Sequence, residues 1–140
     1  MEHKLSPKEV VDRMLEKDYF SQWLGIERLE DGLGISKLKM KVRKEMLNGF
    51  HIAHGAITFA LADSALAFAC NSHGKHAVSI ECNVNHLHPV RENDVLIATA
   101  KQVSQKRTHG IYLVEVTNQE SELVALFKGM VYVKDTDWKV

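Results

Sequence analysis

The sequence is poor in the features that mark specialised classes of protein. Its 18 Lys and Arg are matched by 18 Asp and Glu, so the formal net charge is zero. No global field therefore draws the chain to nucleic acid or to an anionic membrane surface. No apolar run approaches the length of a membrane span, because the most apolar stretch carries Asp63 and Asn71. The N-terminus is charged and amphipathic and lacks the apolar core of a signal peptide. There are two cysteines, Cys70 and Cys82, in apolar surroundings and without metal-binding or redox spacing. Reduced, buried thiols in a cytoplasmic protein are the expectation. Internal repeats, low-complexity segments and linkers are all missing. A length of 140 residues suffices to bury a proper core, so one domain spanning 1–140 is expected.

What is present centres on His54–Ser72. The stretch is rich in Ala and Leu and free of proline, which favours helix. It has almost no polar face, and a helix apolar nearly all round is buried on most sides. Its alanines, Ala56, Ala60, Ala62, Ala65, Ala67 and Ala69, leave a thin rod that other backbone can approach. The only charge on this rod is Asp63. A buried aspartate is rare unless it is paired or serves a purpose, because desolvating an unpaired carboxylate is expensive. Asp63 is therefore the leading functional candidate.

The remaining chain sets a frame around that helix. Ser6-Pro7-Lys8-Glu9 reads as a helix start with a capping box, and Val10, Val11, Met14 and Leu15 form one apolar stripe ending near Asp18. Phe20, Trp23 and Leu24 read as a docking patch. Gly32 and Gly34 bracket a turn, after which Ile35, Leu38, Met40 and Val42 interleave with Lys37, Lys39, Lys41 and Arg43 as in a half-exposed strand. Lys44–Ala53 is irregular, with Asn48-Gly49 a turn signal. Gly74 reads as the C′ glycine of the long helix. Strands are expected at 77–87, 95–103, 111–116 and 123–133, and the short turns between them imply an antiparallel sheet. The result is an α+β fold: one long central helix wrapped by a curved antiparallel sheet, with a short N-terminal helix.

The spacing within the long helix carries a chemical consequence. Gly55 opens the helix, where orphan N–H donors and the positive end of the dipole suit an anion or a developing oxyanion. Gly55 and Asp63 are eight residues apart, hence about 12 Å along the axis at 1.5 Å per residue. One substrate carbonyl cannot touch the donor and also lie within one water of that carboxylate. If both act on one substrate they come from two chains, which calls for a dimer with antiparallel helices and two equivalent sites.

The segments Met46-Leu47-Asn48-Gly49, His54-Gly55, Leu61-Ala62-Asp63 and Ala69-Cys70-Asn71, followed by Val124-Ala125-Leu126-Phe127-Lys128-Gly129, resemble the hotdog-fold acyl-CoA thioesterases. The phenylacetate-pathway (PaaI) type is most similar, and the likeness runs from about Trp23 to Val133. The resemblance implies the hotdog fold, a homodimer or a dimer-of-dimers tetramer, and hydrolysis of acyl-CoA without a metal or an organic cofactor. By position it implies Asp63 as base or nucleophile, the Gly55 amide as the group that polarises the thioester carbonyl, and Asn48 as the holder of water or substrate. It places Ser64 and Ser79 near the substrate and lets Lys106 and Arg107 contact the phosphates of coenzyme A. His54 is expected to order the helix start beside the substrate. Aryl or medium acyl groups, such as phenylacetyl, are the implied substrates. One departure is Ala56, where the family has a second glycine, and a slightly narrower pocket is expected.

Competing readings have weaker support. Three histidine pairs, His51/His54, His73/His76 and His86/His88, invite a metal, but no carboxylate or cysteine stands at supporting spacing. Cys70 lies far from the Gly55 donors and reads as packing rather than nucleophile. A non-catalytic acyl-CoA-binding module on the same fold would not need a charge at Asp63. A hydroxyacyl dehydratase would need a histidine paired with a carboxylate, in a Pro-Gly context that is missing.

Overall fold

The computed structural model describes residues 3–139. The chain opens with helix α1 (Pro7–Glu16), whose capping box forms as the sequence implies: the Glu9 N–H donates to Ser6 Oγ and the Ser6 N–H donates to Glu9 Oε2. Val10 and Val11 are its buried side. The stretch read as a docking patch is a second helix, α2 (Tyr19–Leu24), capped by Asp18, whose Oδ1 accepts from the Ser21 N–H. Gly25, in the left-handed region, ends it. Arg43 then satisfies its last carbonyls, donating to Trp23 O and Leu24 O, and its guanidinium lies over the Trp23 ring. Leu24 is buried, whereas Phe20 and Trp23 stay substantially exposed.

Strand β1 (Glu27–Gly32) was not expected. It has no alternating apolar pattern, because it is an edge strand with little buried surface, held by pairing to β2 (Ile35–Lys41). β2 does alternate: Leu38 and Met40 face inward while Lys37, Lys39 and Lys41 face out. Helix α3 runs from Gly55 to Asn71. After it come β3 (Lys75–His86), β4 (Val95–Gln105), β5 (His109–Thr117) and β6 (Leu123–Asp137); β3 starts two residues before its expected limit and ends one short of it, and the other three run past theirs at one end or both. Gly74 has positive φ but lies two residues beyond the cap, Ser72, rather than one.

All six strands form one antiparallel sheet in the order β1-β2-β4-β5-β6-β3. It curls around α3, which packs against every strand and both short helices. The core lies between them: Leu61, Ala65, Leu66 and Phe68 of α3 meet Leu38, Leu96, Val114, Phe127 and Val131 from the sheet. This is the hotdog arrangement. Gly129 on β6 is where helix and sheet come closest, since a methyl there would fall 2.5 Å from Leu66 Cδ2.

Among the described residues, part of α3 and the outer edge of β3 remain open. α3 is covered on most sides but not all, because Ala56, Ala60, Asp63 and Ala67 form a stripe of small residues along one partly exposed face. The twelve-residue β3 is the last strand of the sheet, so one of its edges has no neighbour. Val78 and Ile80 on this strand are 45% and 53% exposed. A long edge of that kind invites pairing with another strand.

Candidate functional site

The N-terminal end of α3 is built by the loop before it. Asn48 Oδ1 accepts from the Phe50 N–H, the Asn48 N–H donates to Ile52 O, and the His54 N–H donates to Met46 O. These bonds deliver the chain to His54, the N-cap residue, whose Nδ1 accepts from the Ala56 N–H at 3.1 Å. A backbone N–H only donates, so Nδ1 is the unprotonated nitrogen and the proton of the neutral ring sits on Nε2. With the Ala56 donor taken by His54, the Gly55 N–H finds no acceptor among the described residues. Gly55 opens onto a cavity of about 380 Å³ lined by Asn48, Thr58, His86, His88 and Val124. His86 lies close by: a methyl on Gly55 would be 3.1 Å from its Nε2. Ala56 is exposed and does not line this cavity, so the chain by itself does not narrow the pocket there.

Asp63, at the middle of α3, occupies a second cavity, also of about 380 Å³, which lies along the C-terminal half of the helix. Its walls are Met14, Leu66, Ala67, Cys70, Val78, Ser79 and Trp138, among others. Asp63 is partly exposed rather than fully buried, because it belongs to the open stripe. Its carboxylate accepts no hydrogen bond from the described residues. Burial and, to a lesser degree, the nearby Asp18 carboxylate hold its pKa above the ordinary aspartate value. The arrangement gives a poorly solvated, unpaired carboxylate beside an apolar recess, with the raised basicity that proton abstraction uses.

The residues singled out from sequence divide accordingly. Asn48 and Gly55 come together in one cavity, Asp63 and Ser79 in the other. His54 serves the helix cap and lines neither cavity. Ser64 is not brought to a cavity either. It is buried, and its Oγ is bonded at 2.8 Å to Ser21 Oγ, which donates in turn to Asp18 Oδ2. One helical position separates Ser64 from Asp63, a rotation of roughly 100°, enough to turn it toward α2. Lys106 and Arg107 sit exposed at the β4–β5 turn and line neither cavity.

The cysteines are unpaired. Burial pushes the Cys70 thiol up to about 12, so it stays protonated and inert. Cys82 is only partly buried, because it lies on β3 at the rim of the sheet. Among the described residues, no group of three His, Cys, Asp or Glu side chains converges as metal ligands would. Sequence reasoning missed three neighbours: His86 against Gly55, the Asp18–Ser21–Ser64 chain, and Trp138 at the Asp63 cavity. The first two depend on long-range packing. Trp138 carried a signal, as a lone indole in an otherwise polar tail.

The sequence and the fold match known proteins. The thioesterase superfamily profile matches residues 50–125, more than half of the chain. The acyl-coenzyme A thioesterase PaaI of Escherichia coli is 40% identical over 116 residues, covering 83% of each protein. The solved structure of the E. coli PaaI protein from the phenylacetic acid degradation operon superposes with a TM-score of 0.92 at 36% identity, covering 94% of this chain and 95% of that one. A hypothetical thioesterase from Streptococcus pneumoniae, solved with coenzyme A, superposes at a TM-score of 0.78 with 27% identity, covering 81% and 88%. The chain belongs to the thioesterase superfamily and is an enzyme of the thioester-hydrolase class.

Proposed function

We propose that the protein hydrolyses acyl-CoA thioesters with aryl or medium acyl groups, phenylacetyl-CoA being representative. It does so as a cytoplasmic, single-domain homodimer or dimer-of-dimers, without metal or organic cofactor. The observation that carries this reading is the division of one chemical task between the start and the middle of α3. The carbonyl-polarising donor and the base lie about 12 Å apart along the helix, too far to serve one carbonyl. Two copies with antiparallel α3 helices bring Asp63 of one to Gly55 of the partner subunit. The open stripe of small residues on α3 and the unpaired edge of β3 are surfaces that a second copy would cover.

In the reaction, Asp63 removes a proton from a water held with Asn48 of the partner subunit, and the water oxygen bonds to the thioester carbon. The carbonyl oxygen becomes an oxyanion at the N–H of Gly55 of the partner subunit. The carbon–sulfur bond then breaks, the thiolate of coenzyme A leaves, and the proton returns from Asp63 to the products. A thiolate is a good leaving group, so no separate strong acid is required. Direct attack by Asp63, through a mixed anhydride, would instead place solvent oxygen-18 in its carboxylate during a single turnover.

The test is release of free thiol from a panel of aryl- and alkyl-CoA thioesters. Wild type is expected to turn over an aryl-CoA, and Asp63→Ala to lose about 10²-fold or more in rate with its fold intact. If neither protein hydrolyses any thioester yet both bind acyl-CoA, the protein is a binding module and the proposal fails.

A further inference from the structure

The Asp63 cavity has an axis and an end. Asp63, Leu66, Cys70 and Asn71 follow one another along a single side of α3, so the recess runs from the carboxylate toward the C-terminal end of the helix. Asp63 to Asn71 is again eight residues, about 12 Å. At the far end stands Trp138, and it is firmly held. Its Nε1–H donates to Asn71 Oδ1 at 2.9 Å, its backbone N–H donates to Gly74 O at 2.8 Å, and its ring lies 4.2 Å from that of His76. Asn71 is itself fixed, since its Nδ2 donates to Ala67 O and Ala77 O and its Oδ1 also accepts from the Ala77 N–H. The regular β3–β6 pairing is interrupted at this point: Ala77 opposes Val133, but Lys75 opposes Asp137. The extra length on β6 carries the tail across the far end of the recess.

Beyond the indole a larger cavity opens, about 560 Å³, bordered by Lys4, His73, Lys75 and Lys139. Trp138 lines both spaces and is the partition between them. Met14, Leu66, Ala67, Val78 and the protonated Cys70 thiol give the Asp63 side apolar walls, and His76, Ser79 and Lys134 are among its polar groups. The apolar walls suit an acyl group. The volume of the recess is at the small end of ligand pockets, which span roughly 300–1,000 Å³.

We propose that Trp138 is the end wall of the acyl pocket and sets the length of acyl group the enzyme accepts, admitting aryl or medium groups and excluding long chains. This rests on the reading of Asp63 as the reacting carboxylate, since that fixes where the acyl group begins. Shortening the side chain joins the recess to the larger cavity and gives a long chain somewhere to go.

The experiment compares kcat/KM for phenylacetyl-CoA and lauroyl-CoA in wild type, Trp138→Ala, Trp138→Leu and Trp138→Phe. Circular dichroism verifies the fold, and the leucine variant keeps apolar cover over the recess should alanine destabilise it. The lauroyl to phenylacetyl ratio is expected to rise at least about tenfold in the alanine and leucine variants and to stay within about threefold of wild type in the phenylalanine variant. An unchanged ratio, or a parallel fall on both substrates, overturns the proposal. The same ratio is read from binding of the corresponding non-hydrolysable thioethers, which needs no turnover. A protein inactive on every thioester therefore defeats the thioesterase reading, while the binding ratio still decides the role of Trp138.

Discussion

The start of α3 and its C-terminal half hold cavities of similar size but opposite construction. At the Gly55 end the functional group is backbone, and its position follows from turn chemistry: the Asn48 loop, the His54 cap and the start of the helix fix one free N–H. Around Asp63 the candidate group is a side chain, and its character comes from its surroundings: a recess with apolar walls, no hydrogen bond accepted from the described residues, and a second carboxylate nearby. An oxyanion donor must be rigid and needs no tuning, so a capped helix start suffices. A base must be tuned, and burial tunes it.

The largest effects should come from separating the two groups genetically. Asp63→Ala removes the proposed base, and Gly55→Val fills the space before the proposed donor, so each variant alone should lose about 10²-fold or more. If each site draws one group from each chain, equal co-assembly of the two variants yields half heterodimers with one intact site of two. Activity should then return to about a quarter of wild type. Recovery no greater than the sum of the two inactive homodimers would show that both groups serve within one chain.

Packing along α3 should matter next. Gly129→Ala drives a methyl against Leu66, which supports the core and also lines the Asp63 recess. A loss of about 1–3 kcal/mol in denaturant unfolding is expected, with a larger drop in activity on bulky acyl groups than on acetyl-CoA.

Smaller still is the effect of the carboxylate on stability. Burial raises the folded-state pKa of Asp63, so the ionised form is disfavoured by folding. Below the unfolded value of about 3.9 both states are protonated and Asp63 imposes no penalty. Above the raised folded value the penalty is complete. Asp63→Asn should therefore stabilise the protein at neutral pH by about 1 kcal/mol, at the expense of activity. The gain should fade as pH falls through the raised pKa toward the unfolded one. A gain independent of pH would show that ionisation is not its source.

The smallest effect separates a neighbour from the site. Ser64→Ala breaks the bond to Ser21 and should lower stability by about 1 kcal/mol while leaving KM for acyl-CoA within about twofold. A large rise in KM would return Ser64 to the substrate.

Much of this was legible in the sequence because the signals were local. The capping box of α1, the alternation in β2 and the apolar length of α3 each reflect rules operating within a few residues, and each element formed where expected. Asp63 stood out because a lone charge on an apolar helix is conspicuous. β1 was invisible because an edge strand buries too little to impose a pattern. Ser64 was misplaced because spacing along a helix does not say which neighbour the side chain will meet, and Ser21, 43 residues away, supplied the answer. Trp138 and Asn71, 67 residues apart, met for the same reason.

By itself, then, the sequence determined α1, α3 and the strands β2 to β6, the helix start with its donor, and the separation of Gly55 from Asp63, all set by rules acting at short range. Only the tertiary structure decided which face of α3 stays open, what surrounds Asp63, and where the recess ends. Those depend on contacts between segments distant in the chain, and packing chooses among them by how well whole surfaces fit.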